Sequence, residues 1–131
     1  MKKIISYCLW GNSPKYTIGA IKNAELARDI FPDWICRFYI GTSTPSEIIN
    51  KLNLFPNTEV IIQDTKGNWE GMFWRFEAIS DPDVEVMISR DCDSRLTYRE
   101  KAAVDAWLSG SKNFHIMRDH PFHQTEILGG M

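Results

Sequence analysis

The hydrophobic positions of the chain follow two alternating patterns. Near-continuous apolar runs, which are typical of strands covered on both faces of a sheet, occur at residues 4–9, 34–40, 59–63, 84–88 and 114–117. Between these runs the chain changes to helical spacing, at residues 17–31, 45–52, 72–79 and 97–108. The order of these segments predicts the element sequence β-α-β-α-β-α-β-α-β.

Three of the predicted helices have a distinct apolar face. The first uses small residues and is stopped by a proline, at Ala20, Ala24, Ala27 and Pro32. The third is predicted to pack through Met72, Phe76 and Ile79, and the fourth begins at the capping-box pattern Thr97-x-x-Glu100. Strands and helices in this order predict an α/β fold, with a mostly parallel, Rossmann-like sheet of about five strands, right-handed crossovers and flanking helices.

Length, charge and cysteine content narrow the class of protein. A chain of 131 residues, 44% hydrophobic and 24% charged, predicts a single globular domain over residues 1–131. The net charge of −2, without a basic run, argues against duplex nucleic acid as a partner. The first apolar run is interrupted after Leu9–Trp10, so this run is too short for a membrane span. Three cysteines without CxxC spacing favour a reducing cytoplasm.

Chemistry in such a sheet is expected beyond the carboxyl ends of the strands. At that edge the fourth strand runs directly into Asp91-Cys92-Asp93. In extended backbone the two carboxylates point the same way and can bind one hard divalent cation, Mn²⁺ or Mg²⁺; a solvated turn is the alternative. The other acidic pair, Asp81–Pro82–Asp83, lies at the opposite edge and is interpreted as a chance occurrence.

Other side chains of the same edge fit a nucleotide. The Arg75 guanidinium can bind a phosphate, or form only a surface salt bridge. Trp10 and Tyr16 flank the first loop and can stack on a base, or merely pack. Asp64 can accept hydrogen bonds from a base or ribose, or cap its turn.

The remaining polar residues of this edge have less specific interpretations. Arg90 and Arg95 flank the acidic pair and can relieve its repulsion. His120 and His123 can supply an imidazole to the metal or to a sugar, with simple solvent exposure as the alternative, whereas His115 is expected to be structural. Because the chain lacks GxGxxG, GxxxxGK[ST] and GxSxG, dehydrogenase, P-loop and α/β-hydrolase activities are not predicted.

The context MISRDCDSRL, preceded by CLWGNSPKY and GNWEGMFWRFEA and followed by RDHPFHQTEILGGM, resembles the GT-A-fold glycosyltransferases that use nucleotide-sugar donors. The resemblance implies that Asp91 and Asp93 bind the metal and the ribose-diphosphate. It further implies a nucleotide pocket lined by Cys8, Leu9, Trp10 and Gly11, a donor contact from Arg75, and a small-residue segment beside the donor and acceptor sugars at Gly129–Gly130. Such enzymes normally continue further and supply acceptor-binding residues there.

Three functions follow as hypotheses. The first is metal-dependent transfer of a sugar from a nucleoside diphosphate sugar to a saccharide or other acceptor. The second is a non-catalytic nucleotide-sugar-binding module, or a half-enzyme completed by a partner. The third is a sugar nucleotidyltransferase, which would need a glycine-rich phosphate loop with a lysine after the first strand. The segment WGNSPKY matches that pattern poorly. The apolar residues Ile127, Leu128 and Met131 also indicate self-association or coverage by a partner, so a homo-oligomer is among the expected states.

Overall fold

A computed structural model of the chain describes residues 1–116. These form a four-stranded, all-parallel sheet with the strand order β3-β2-β1-β4. Helices cover the sheet, so the predicted α/β class is confirmed. In chain order the elements are β1 (Lys2–Leu9), α1 (Pro14–Ile30), β2 (Ile35–Ile40), α2 (Ser46–Asn53), β3 (Thr58–Ile62), a 3₁₀ helix (Trp69–Ser80), β4 (Val84–Ser89) and α3 (Tyr98–Ser109).

The sheet has apolar side chains on both faces, which explains the continuous run in β1. Ile5 and Tyr7 belong to the larger core, into which α1, α2 and α3 send Ala24, Leu52 and Val104. The alternate residue Ile4 faces a smaller core closed by the 3₁₀ helix. A central strand buried on both faces cannot show polar and apolar alternation.

The 3₁₀ helix does not bury the predicted face. Met72 and Ile79 are 46% and 67% exposed, while Gly71, Arg75 and Ala78 are buried. Apolar residues occur on all sides of this segment, so their spacing selects no unique face. Gly71 lies close against the Trp10 ring, and the small side chain of Ala78 packs beside Ile4 of the sheet; these close contacts decide which face packs.

The prediction of a fifth strand at residues 114–117 is wrong for the described part of this segment. Phe114, His115 and Ile116 form no strand, and Met117 lies outside the described residues. Phe114 is 84% exposed, and the His115 ring stacks on Trp107 of α3 at a centroid distance of 5.6 Å. The segment therefore packs on a helix instead of adding to the sheet, and the sheet has four strands within the described part of the chain.

Charged residues at the amino edge of the sheet form a separate network. Arg37 of β2 is almost fully buried and binds Glu59 Oε2 at 2.9 Å and Asp81 Oδ2 at 3.0 Å. The backbone N–H of Asp83 and the Arg37 guanidinium lower the pKa of Asp81. Asp81 of the second acidic pair is thus part of an ion network at the edge opposite the Asp91 loop. No helix of residues 1–116 is both long and apolar enough to cross a membrane.

Candidate functional site

The order of the strands creates a crevice between β1 and β4. From β1 the chain continues to β2 and β3 on one side, and then crosses back to place β4 on the other side of β1. The connections that leave β1 and β3 cover opposite faces of the sheet, α1 on one and the 3₁₀ helix on the other. Open parallel sheets bind ligands beyond the carboxyl ends of the strands at such a reversal of strand order. A cleft of about 560 Å³ lies there.

Most of the predicted site residues line this cleft. Those contributed by β1, its loop and the start of α1 are Cys8, Leu9, Trp10, Gly11 and Tyr16. Those contributed by the 3₁₀ helix and by the loop after β4 are Arg75, Asp91 and Asp93. Four further lining residues were not predicted, namely Asn12, Ser13, Met72 and Cys92.

The loop after β1 is tied to its neighbours by one hydroxyl group. Gly11 has a φ of 74°, a conformation that L side chains rarely adopt, and its N–H donates to Ser43 Oγ at 2.7 Å. Ser43 Oγ in turn donates to the carbonyl of Lys66 at 2.5 Å. The loops that follow β1, β2 and β3 are therefore connected to one another.

Aromatic residues form part of this wall of the cleft. Trp10 packs edge-on against Trp74 of the 3₁₀ helix, with ring centroids 6.1 Å apart, and still lines the cleft. Tyr16 is 41% exposed on the first turn of α1. Packing and ligand contact, which sequence reasoning treated as alternatives for Trp10, are compatible in this geometry.

Asp91 is held by a buried guanidinium. Arg75 Nη1 donates to Asp91 Oδ1 at 2.5 Å and to the carbonyl of Arg90 at 3.2 Å. Arg75 is only 2% exposed, and its own carbonyl accepts a hydrogen bond from Ser6 Oγ of β1. It is therefore not the exposed surface ion pair considered from sequence, and its buried Nε has no hydrogen-bond partner within the described structure.

Asp93 is the more weakly held carboxylate. Its side chain is 30% exposed, and its Oδ2 lies 3.7 Å from the ammonium of Lys15. Each carboxylate of the pair keeps a second oxygen, and both line the same cleft. Among residues 1–116, no third His, Cys, Asp or Glu joins the two aspartates in a group of three that could hold a metal ion. Mg²⁺ is commonly bound by one or two carboxylates together with substrate phosphates and water, so this donor set fits such an ion.

A buried asparagine positions the acidic loop, and sequence reasoning missed it. Asn23 of α1 is 0% exposed; its Nδ2 donates to the carbonyl of Ser94 at 2.7 Å and its Oδ1 accepts from the N–H of Leu96 at 3.1 Å. A Cβ at Gly19, one turn earlier, would lie 2.0 Å from the carbonyl of Cys92. The signal in the sequence was an asparagine and a glycine within the otherwise alanine-rich face of a helix.

Several predicted residues lie elsewhere. Arg90 is 3% exposed and binds Glu100 of α3 at 3.0 Å. Because successive residues of extended backbone point to opposite faces, its side chain lies on the other side of the sheet from that of Asp91, which binds Arg75. Arg95 donates to the carbonyl of Cys92. Asp64 is exposed and does not line the cleft. The predicted residues His120, His123, Gly129 and Gly130 lie outside the described residues.

The thiols near the cleft are protonated at neutral pH. Burial raises the pKa of Cys8, and burial raises the pKa of Cys92 well above its ordinary value. The Cys92 thiol donates to the carbonyl of Cys8 across the β1–β4 pair. These cysteines therefore pack and link strands, and neither has the low pKa of a nucleophilic thiol.

Comparisons of the chain with protein-family models, with curated proteins and with solved structures find no match.

Proposed function

We propose that the protein binds a nucleoside diphosphate sugar in the β1–β4 cleft together with Mn²⁺ or Mg²⁺ and transfers the sugar to an acceptor. The observation that carries this proposal is the position of Asp91 and Asp93. Both follow β4 beside the point where the strand order reverses, and both share one cleft with the loop after β1. A volume of about 560 Å³ is in the range of small-molecule sites.

Each wall of the cleft has its own role in this proposal. Trp10 and Tyr16 provide aromatic surface for a base, and the two aspartates provide oxygen ligands for the cation. When bound, the cation neutralises the diphosphate as negative charge develops on the leaving group. Arg75 fixes the orientation of Asp91 through its buried guanidinium.

A non-catalytic binding module, or a half-enzyme completed by a partner, is the second candidate. The lining of the cleft within residues 1–116 favours it, since this lining has no His, Glu or Lys to activate an acceptor hydroxyl. Its only carboxylates are the two assigned to the metal. We also propose the reducing cytoplasm as its location, which the three free cysteines support.

Calorimetric titration tests the binding step. UDP-, GDP- and dTDP-sugars are titrated into the protein in Mn²⁺ and in EDTA. One of these donors is expected to bind at least about tenfold more tightly in Mn²⁺, because two carboxylates repel a diphosphate unless a cation intervenes. Equal affinity in EDTA and Mn²⁺ for every donor would refute the metal-dependent site.

Two substitutions make the test specific to the acidic pair. Asp93→Asn is expected to abolish the Mn²⁺ dependence. Asp83→Asn removes the same charge at the opposite edge of the sheet and is expected to leave the dependence unchanged. A turnover assay then separates the two candidates, because donor binding without release of nucleoside diphosphate, with or without added acceptors, favours the binding module.

A further inference from the structure

Both carboxylates of the acidic pair are already paired with basic side chains, but the two pairs differ. Asp91 binds Arg75 at 2.5 Å, and the Arg75 side chain is 3% exposed. Asp93 lies 3.7 Å from Lys15, whose side chain is 66% exposed. The first pair is therefore fixed within the protein, and the second can open into solvent.

Lys15 lies at the mouth of the cleft. It is the second residue of α1, and only Pro14 separates it from the cleft-lining residues Asn12 and Ser13. Its ammonium also lies 5.6 Å from the centroid of the Tyr16 ring, which lines the cleft as well. A long lysine side chain at this point reaches both Asp93 and the space in front of the acidic pair.

We propose that Lys15 occupies Asp93 in the free protein and exchanges this contact for a phosphate of the incoming ligand when a divalent cation binds. The proposal rests on the proposed function. An ammonium and a divalent cation compete for the same carboxylate, so binding of the cation releases Lys15. The released ammonium then lies beside a site that takes an anionic diphosphate, to which it can donate hydrogen bonds.

This exchange couples the two ligands. Lys15 opposes binding of the cation alone, and it favours binding of the diphosphate once the cation is present. Because coupling between two ligands is reciprocal, the diphosphate also strengthens binding of the cation. Removal of the ammonium should therefore change the two affinities in opposite directions, whereas a disturbed fold would weaken both.

The test compares Lys15→Met with Lys22→Met. Lys22 lies about two turns further along the same helix, is 57% exposed and pairs with Glu25. Its substitution therefore removes the same charge at another exposed position, away from the cleft. Binding of Mn²⁺ alone is followed by the electron paramagnetic resonance signal of the free ion. Binding of UDP at saturating Mn²⁺ is measured by calorimetry.

We expect Lys15→Met to bind Mn²⁺ alone about two- to fivefold more tightly than Lys22→Met, as for loss of one exposed competing ion pair. We expect it to bind UDP in Mn²⁺ about five- to tenfold more weakly. Mn²⁺ binding that is equal in the two variants, or both affinities shifting in the same direction, overturns the exchange but leaves the metal site intact. Absence of Mn²⁺ binding to the unmodified protein and to both variants, both without and with UDP, overturns the proposed function and this inference together.

Discussion

Replacement of Asn23 by alanine should detach the acidic loop from α1. The N–H of Leu96 loses its acceptor inside the core, at a cost of about 1–3 kcal/mol. The carbonyl of Ser94 loses a donor, at about 1 kcal/mol. The carbonyl of Cys92 keeps its hydrogen bond from Arg95. The better helix propensity of alanine offsets about 0.7 kcal/mol of the loss. We expect the free energy of unfolding to fall by about 1.5–3 kcal/mol.

Urea denaturation measures this loss, and Asn50→Ala provides the matched control. Asn50 is an exposed asparagine of α2, so its replacement changes helix propensity without removing a buried contact. A similar free energy of unfolding for both variants would contradict the role assigned to Asn23. Mn²⁺ affinity should also fall in Asn23→Ala, because the loop that carries both aspartates loses its anchor; an unchanged affinity would show that the loop is held by other contacts.

The remaining predictions concern four other positions. Gly19→Ala should lower the free energy of unfolding by about 1–3 kcal/mol in urea denaturation, since the new Cβ would lie 2.0 Å from a carbonyl of the acidic loop. Arg75→Met should weaken UDP binding in Mn²⁺ by about tenfold in calorimetry, because Asp91 loses the group that orients it. Burial opposes ionisation of Glu59, but hydrogen bonds from Lys2 and Arg37 outweigh burial and lower the pKa of this carboxyl group. The Glu59 carboxylate therefore stabilises the fold at any pH above its pKa in the unfolded chain. This stabilisation is lost as the pH falls through its lower pKa in the folded protein. Glu59→Gln should therefore flatten the acid limb of the stability curve below about pH 5, measured by urea denaturation. Because burial raises the pKa of Cys8, the midpoint of the pH profile of its alkylation rate with iodoacetamide should lie above pH 9, the ordinary thiol value.

The sequence was sufficient to predict the fold class and the edge that carries the cleft. The apolar run at residues 4–9 indicated a strand covered on both faces, and the alternation of strands with helices indicated a parallel sheet. The direction of the chain in such a sheet then assigned Asp91 and Asp93 to the ligand edge and Asp81 to the opposite edge. These conclusions depend only on the succession of strands and helices along the chain, which hydrophobic periodicity indicates.

The contacts that shape the site were not predictable in the same way. Asn23 matters because three polar groups of a loop far along the chain meet it inside the core, and no local pattern reports such a meeting. The burial of Arg75 depends on which face of the 3₁₀ helix packs, and its apolar residues lie on all sides. The prediction of a fifth strand was wrong because a four-residue apolar run has the same composition whether it pairs with a strand or packs on a helix.

The hydroxyl of Ser43 has a consequence for how the cleft can change its width. Because it accepts from Gly11 and donates to the carbonyl of Lys66, a displacement of the first loop is transmitted to the loop after β3. The facing wall, at Asp91, is anchored by Asn23 of α1 and by Arg75 of the 3₁₀ helix. The two walls also contact each other directly, because Trp10 packs on Trp74 of that 3₁₀ helix and the Cys92 thiol donates to the carbonyl of Cys8. A change in the width of the cleft therefore has to alter these contacts or shift the first turn of α1, which joins the loop after β1 to the helix that anchors the acidic loop.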